Sequence, residues 1–100
     1  MDFSPEKYGP GAMYAYHLMA KHAKTQSDVD AVVYLTKLFA KKFKCETCRG
    51  HFKKIVKTHD VMKYATVENI FEYTVIVHNV INKRLGKKQY SLREAHSIYG

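Results

Sequence analysis

Residues 66–86 read TVENIFEYTVIVHNVINKRLG, and their spacing decides the fold. Val67, Ile70, Phe71, Thr74, Val75, His78, Ile81, Asn82 and Leu85 recur three and four apart, which puts them on one stripe of a helix. Thr66 is a candidate N-cap, and Gly86 stands where the left-handed residue that closes a helix belongs. Upstream, Val29, Val32, Val33, Thr36, Phe39, Ala40 and Phe43 repeat the same spacing. Ser27 with Asp30 three residues on suggests a capping box at the start of that helix. Met13, Tyr14, Tyr16, His17, Ala20 and Lys21 predict an earlier helix over about residues 11–24.

A third helix is expected from about Cys45 through Phe52, Ile55 and Val56 to Lys57. Thr58-His59-Asp60 reads as a turn, and residues 61–64 are too short to assign. Ser91 with Glu94 predicts a last helix, Leu92–Tyr99. No run alternates with period two, so no strand is expected. The expected fold is all-α, a four-helix bundle with a short fifth C-terminal helix.

Length and composition agree with one globular domain spanning residues 1–100, 46% hydrophobic and 26% charged. The longest apolar runs, 31–35 and 74–77, fall well short of the ~18 residues needed to span a membrane. Residues 1–11 have no basic start followed by an apolar run, so no secretory signal is expected and the chain reads as intracellular. Seventeen Lys and Arg against nine Asp and Glu give a net charge of +8. Such a surplus suits nucleic acid, an acidic protein face or a phosphorylated cofactor.

The only two cysteines form Cys45-Glu46-Thr47-Cys48, which excludes a disulfide-stapled scaffold. At a helix start the free backbone N–H groups and the positive dipole end favour a thiolate. Lys37, Lys41, Lys42, Lys44, Arg49, Lys53, Lys54 and Lys57 act in the same sense, opposed by Glu46 alone. A thiolate attacks disulfides and donates electrons, so a redox role is favoured. A zinc site is the rival, since Cys45, Cys48, His51 and His59 supply a Cys2His2 set, although their spacing is not that of a common finger.

Polar residues interrupt the apolar stripes at His17, His78 and Asn82, with Asn79 and Lys83 in an adjacent row. Buried polar groups left without partners cost roughly 1–3 kcal/mol each, so these should meet one another or a polar ligand. The basic run Lys83-Arg84-Leu85-Gly86-Lys87-Lys88 complements the dipole at a helix end and could clamp a phosphate. No glycine-rich phosphate loop accompanies it.

These motifs converge. Cys45-x-x-Cys48-Arg49-x-His51, followed by His78-Asn79-x-Ile81-Asn82-Lys83-Arg84-Leu85-Gly86-Lys87, resembles the Erv/ALR family of FAD-linked sulfhydryl oxidases. The family signature HNxVNxxLGK is matched with Ile81 in place of valine. Tyr8-Gly9-Pro10 with His17 is similar to the W-G-P-x-x-W-x-x-x-H start of the family, so the resemblance runs over residues 8–99. The short form, with no further cysteines, is similar to the oxidases of large cytoplasmic DNA viruses, which would place the chain in host cytoplasm or virion.

The resemblance implies a bundle that binds FAD noncovalently beside the Cys45–Cys48 disulfide. It implies Cys48 as the flavin-proximal thiolate and Cys45 as the sulfur attacked by substrate. His17, His78, Asn79, Asn82 and Lys83 would contact the adenosine and isoalloxazine, and Lys87 the phosphate side. His51 and Phe52 would line the flavin pocket, Tyr99 would stand near the adenine, and Gly9, Met13, Ile81 and Leu85 would complete the cofactor-binding set.

It further implies a thiol-containing protein substrate or a dithiol relay protein, dioxygen as acceptor with hydrogen peroxide as product, and a homodimer. Nucleic acid and metal then have no part. The chain departs from the pattern in having no tryptophan, with Met13 and Tyr73 at tryptophan positions, and Lys44 in place of a proline. A second, shuttle cysteine pair is also missing.

Overall fold

The computed structural model describes residues 5–42 and 46–99, with side chains undescribed at 5–12, 46, 48 and 99. Five α-helices carry the fold: α1 (Pro5–Lys21), α2 (Gln26–Lys42), α3 (Glu46–Thr58), α4 (Ile70–Leu85) and α5 (Leu92–Tyr99). A single 3-10 turn, Val61–Tyr64, joins α3 to α4, and there is no strand among the described residues. The expected all-α class, four helices and a short fifth, is what the chain adopts.

The ends of the elements follow their caps, and three of them differ from expectation. α1 starts earlier, with Pro5 at a position where a missing N–H costs nothing, and stops at Lys21. It stops there because the next helix takes hold of the chain. Asp28 Oδ2 accepts from the backbone N–H of Lys24 (3.0 Å) and of Thr25 (3.2 Å), and the Asp28 N–H donates to Thr25 Oγ1 (3.2 Å). The capping box of α2 is therefore Thr25 with Asp28, two residues before the expected Ser27 with Asp30. Those amides hold the Asp28 carboxyl below its ordinary range.

α4 begins at Ile70 rather than near Val67. The Thr66 carbonyl accepts from the N–H groups of Asn69 (3.2 Å) and Ile70 (2.9 Å), closing a turn that leaves Val67 exposed. The other end is as expected: Gly86 has φ 71°, and its N–H and that of Lys87 return to the carbonyls of Lys83 and Asn82. At α5, Ser91 N–H donates to Glu94 Oε1 (3.0 Å) and Glu94 N–H to Ser91 Oγ (3.1 Å). Asp60 caps the 3-10 turn through Met62 N–H (3.0 Å).

α1 packs on α2 and α4, α2 packs on α3, and α5 lies against α1 and α4. α3 and α4, by contrast, meet only weakly and leave a seam. The core holds Tyr16 and Ala20 from α1, Val29 and Val32 from α2, Phe52 from α3, and Ile70, Tyr73 and Val77 from α4. Two adjacent residues of α1 fasten it to both neighbours by the same device. Tyr16 OH meets Thr36 Oγ1 of α2 (2.6 Å), and His17 Nδ1 meets Thr74 Oγ1 of α4 (2.8 Å). In each case the threonine hydroxyl donates onward to a carbonyl of its own helix, Val32 O (2.8 Å) or Phe71 O (2.7 Å). Among the described residues no helix is long and apolar enough to cross a membrane.

Candidate active site around the fourth helix

Two cavities lie on either side of α4. The first, about 160 Å³, is lined by His17 of α1, Val75, His78 and Asn79 of α4, Tyr90, and Ala95 and Ile98 of α5. Its polar element is an imidazole pair: His17 Nε2 lies 2.8 Å from His78 Nδ1, with ring centroids 5.0 Å apart. His17 is 1% exposed. Burial, then the neighbouring His78, pushes its pKa down to about 4. Burial and then Lys87 lower that of His78. Both rings are neutral at physiological pH.

This has a measurable consequence for stability. The unfolded His17 imidazole titrates near 6.5, while the folded one refuses the proton until about pH 4. Protons bind the unfolded state first, so stability is fully present above pH 6.5 and is lost as pH falls toward 4, by about 3 kcal/mol for this group. Chemical denaturation across that window should show the decline, with a shallower slope in His17→Gln. An unchanged slope would assign the loss to other groups.

Asn82 shares the stripe with His78 and Asn79 stands in the adjacent row, and the amides of both are engaged with the loop that follows α4. Asn79 Nδ2 donates to Tyr90 O (2.6 Å), and Tyr90 N–H donates to Asn79 Oδ1 (2.8 Å). Asn82 Nδ2 donates to Lys88 O (3.0 Å). The two asparagines thus shape the first cavity by holding residues 88–90 against the helix. On its far side Phe71 stacks near His96 (4.7 Å), with Lys21 bonded to His96 and lying over the Phe71 ring.

The second cavity, about 330 Å³, occupies the seam between α3 and α4 and is lined by His51, Lys54, Ile55, Thr58, His59, Val80 and Arg84. The His51 Nδ1 is buried and has no hydrogen-bond partner among the described residues. Lys54 and Arg84 have no carboxylate partner among the described residues, where the ion pair is Lys88–Glu94 (3.1 Å). A polar atom short of a bond and uncompensated cations around an open seam suit an anionic, hydrogen-bonding ligand.

Other expected site residues fall as follows. Met13 is buried on α1, and Phe52 turns into the core against Phe39 (5.5 Å) rather than toward either cavity. Ile81 is half-buried on the core edge, while Lys83, Leu85 and Lys87 are exposed. Cys48 belongs to the first turn of α3. Cys45 lies outside the described residues, as do the side chains of Cys48 and Tyr99; Gly9 lies in α1 within the undescribed side-chain stretch. Thr74, Tyr90 and Ala95 were not expected as site residues, whereas Arg84 belongs to the basic run expected to clamp a phosphate. Thr74 carried a signal, being a hydroxyl inside an otherwise apolar stripe one turn before His78.

Fold and site together describe a small all-helical protein with a C-x-x-C at the start of one helix and paired imidazoles against another. A family model described as the Erv1 / Alr family matches residues 12–99, and the chain belongs to that family. It is 41% identical over 56 residues to a protein of Frog virus 3 (isolate Goorha) named as an FAD-linked sulfhydryl oxidase, covering 56% of this chain and 37% of the viral one. It is 27% identical over 66 residues to an FAD-linked sulfhydryl oxidase of Oryza sativa subsp. japonica, covering 66% of this chain and 34% of the rice protein. The chain spans about a third of the length of these relatives.

Proposed function

We propose that this chain is an FAD-dependent thiol oxidase that forms disulfides in a thiol-bearing protein substrate. The observation that carries this reading is the place of Cys48 in the first turn of α3 in a chain of the Erv1 / Alr family. Backbone N–H groups without helical partners and the positive dipole end favour a thiolate there, and the lysines and Arg49 around it add to the effect.

A substrate thiolate attacks Cys45 of the Cys45–Cys48 disulfide, giving a mixed disulfide and releasing Cys48 as a thiolate. A second substrate thiolate attacks the mixed disulfide. The substrate leaves as a disulfide, and the cysteine pair has gained two electrons. The chemistry FAD supplies when bound is acceptance of those electrons and their delivery to dioxygen, giving hydrogen peroxide.

The residues present fit such a group. The seam between α3 and α4 offers the orphaned His51 Nδ1, with Lys54 and Arg84 available to balance a pyrophosphate. The cavity beyond α4 offers His17 and His78 between the apolar walls of Val75, Ala95 and Ile98, with Lys87 near His78. Met13, His17, His51, His78, Lys83 and Lys87 are the described side chains we assign to holding FAD. Asn79 and Asn82 contribute by shaping the loop. Ile81 and Leu85, with Gly9 and Tyr99, complete the proposed set, and Phe52 supports it from the core. The reading includes a homodimer working inside a cell, fed by the substrate directly or by a dithiol relay protein. The zinc and nucleic-acid alternatives are not favoured by the family.

The test is a visible absorbance spectrum of the purified protein before and after dithiothreitol under air. A flavin band that bleaches with thiol and returns with peroxide is expected. A colourless protein that resists flavin loading and carries stoichiometric zinc would overturn the reading.

A further inference from the structure

We propose that Thr74 is a positioning residue that locks the tautomers of His17 and His78, so that the cavity meets His78 Nε2 as a hydrogen-bond acceptor. The site thereby selects, at that point, a ligand group that donates, such as an amino or hydroxyl group, over a carbonyl or phosphate oxygen. In the ligand it invokes, this inference rests on the flavin reading above; the tautomer lock stands on geometry.

The geometry sets the direction of the chain of bonds one proton at a time. Thr74 Oγ1 and Phe71 O are 2.7 Å apart, and two oxygens at that distance need a hydrogen between them. A carbonyl has none, so the proton is the threonine's own, and it is the only one that hydroxyl carries. Toward His17, 2.8 Å away, Thr74 can then only accept, which makes His17 Nδ1 the protonated nitrogen. A neutral imidazole has one N–H, so His17 Nε2 accepts, and the proton in its 2.8 Å contact with His78 comes from His78 Nδ1. His78 Nε2 is left with its lone pair.

The reverse polarity would turn the Thr74 hydroxyl to His17. It would abandon the bond to Phe71 O and press two acceptor oxygens together at 2.7 Å. Buried as it is, His17 stays neutral, so a doubly protonated ring does not relieve the choice.

His78 is half-buried and lines the cavity, and its Nε2 has no hydrogen-bond partner among the described residues. The neighbouring Asn79 amide is already engaged with Tyr90 at both its nitrogen and its oxygen. Val75, Ala95 and Ile98 give the remaining wall no polar group of their own. A ligand entering here meets an acceptor in an apolar frame.

The experiment is the long-range ¹H–¹⁵N correlation spectrum of the imidazoles in full-length protein labelled with ¹⁵N, free and with FAD as probe. Wild type should show His17 protonated on Nδ1 and His78 unprotonated on Nε2. Thr74→Val keeps the shape and removes the acceptor, so the pair should invert and His78 should become protonated on Nε2. FAD binding followed by fluorescence quenching should weaken by about tenfold. Thr74→Ser should restore the wild-type ring pattern and most of the affinity.

A wild-type His78 protonated on Nε2 overturns the lock even if FAD binds and is reduced by thiols. The predicted pattern in a protein that refuses FAD supports the lock and overturns the flavin reading instead. Should Thr74→Val not fold, the wild-type and Thr74→Ser spectra still decide.

Discussion

Replacing Tyr16 with alanine is expected to cost about 3–5 kcal/mol, the range for emptying a fully buried aromatic site. In a domain of this size that lowers Tm by roughly 15–30 °C. Tyr16 is 0% exposed and packs edge-on against Phe39 at 5.3 Å. Its removal takes out the contact through which α1 meets the middle of α2. The hydroxyl alone is worth much less. Thr36 donates to Val32 O, so Tyr16 OH is the donor in the 2.6 Å contact, and Tyr16→Phe leaves Thr36 with a vacant lone pair and not a stranded proton. Tyr16→Phe should therefore cost about 1 kcal/mol. Urea titrations of both variants separate ring from hydroxyl, and equal costs would contradict the assignment of most of the energy to packing. The same burial is why the Tyr16 phenol is pushed well above its ordinary pKa.

The second large effect is on activity. Cys48→Ser and Cys45→Ser should each lower thiol-dependent oxygen consumption by roughly three orders of magnitude or more, because each removes one half of the exchanging disulfide. Neither should strip the flavin, since the proposed cofactor contacts are spread over α1, α3, α4 and the chain after α4 and do not depend on a cysteine sulfur. The two variants should differ in one respect. In Cys45→Ser, the Cys48 thiol remains at the helix start, and its thiolate fraction should rise at a pH below that of an ordinary thiol. Alkylation rate against pH measures this directly. An active Cys48→Ser protein, with oxygen uptake near wild type, would remove the cysteine pair from the mechanism.

How much of this was legible in the sequence depended on whether a signal was local. Gly86 marked the end of α4 because a helix closed by a left-handed residue wants glycine, and Ser91 with Glu94 marked α5 because both halves of the box lie within one turn. The start of α2 was misplaced by two residues, because Thr25-x-x-Asp28 and Ser27-x-x-Asp30 are equally good local patterns. Only the packing of Val29 and Val32 into the core chooses between them. The start of α4 shifted for a related reason. The stripe continues back to Val67, but the chain arriving from the 3-10 turn is held in a turn by the Thr66 carbonyl, which accepts from Asn69 and Ile70.

The site was legible as a list of residues and not as an arrangement. His17 and His78 were expected to meet a polar partner, and they meet each other. That Thr74 would stand behind them needed the third dimension, as did the finding that Asn79 and Asn82 spend their amides on the chain after the helix. The seam between α3 and α4 was invisible in the sequence, since a gap between two helices leaves no periodicity of its own.

The adjacency of Tyr16 and His17 has a consequence for how the chain can vary. Neighbours on a helix point about 100° apart, so one dipeptide reaches two different helices at once. Sliding α1 by a single residue would present His17 to Thr36 and Leu18 to Thr74, or Ala15 to Thr36 and Tyr16 to Thr74, so either way one threonine loses its polar partner and the other meets a group of the wrong length. The dipeptide therefore works as a register key. Insertions or deletions within α1 should be tolerated only in the loop after Lys21, and a designer transplanting this bundle would carry over four side chains, Tyr16, His17, Thr36 and Thr74, before any of the leucines or valines.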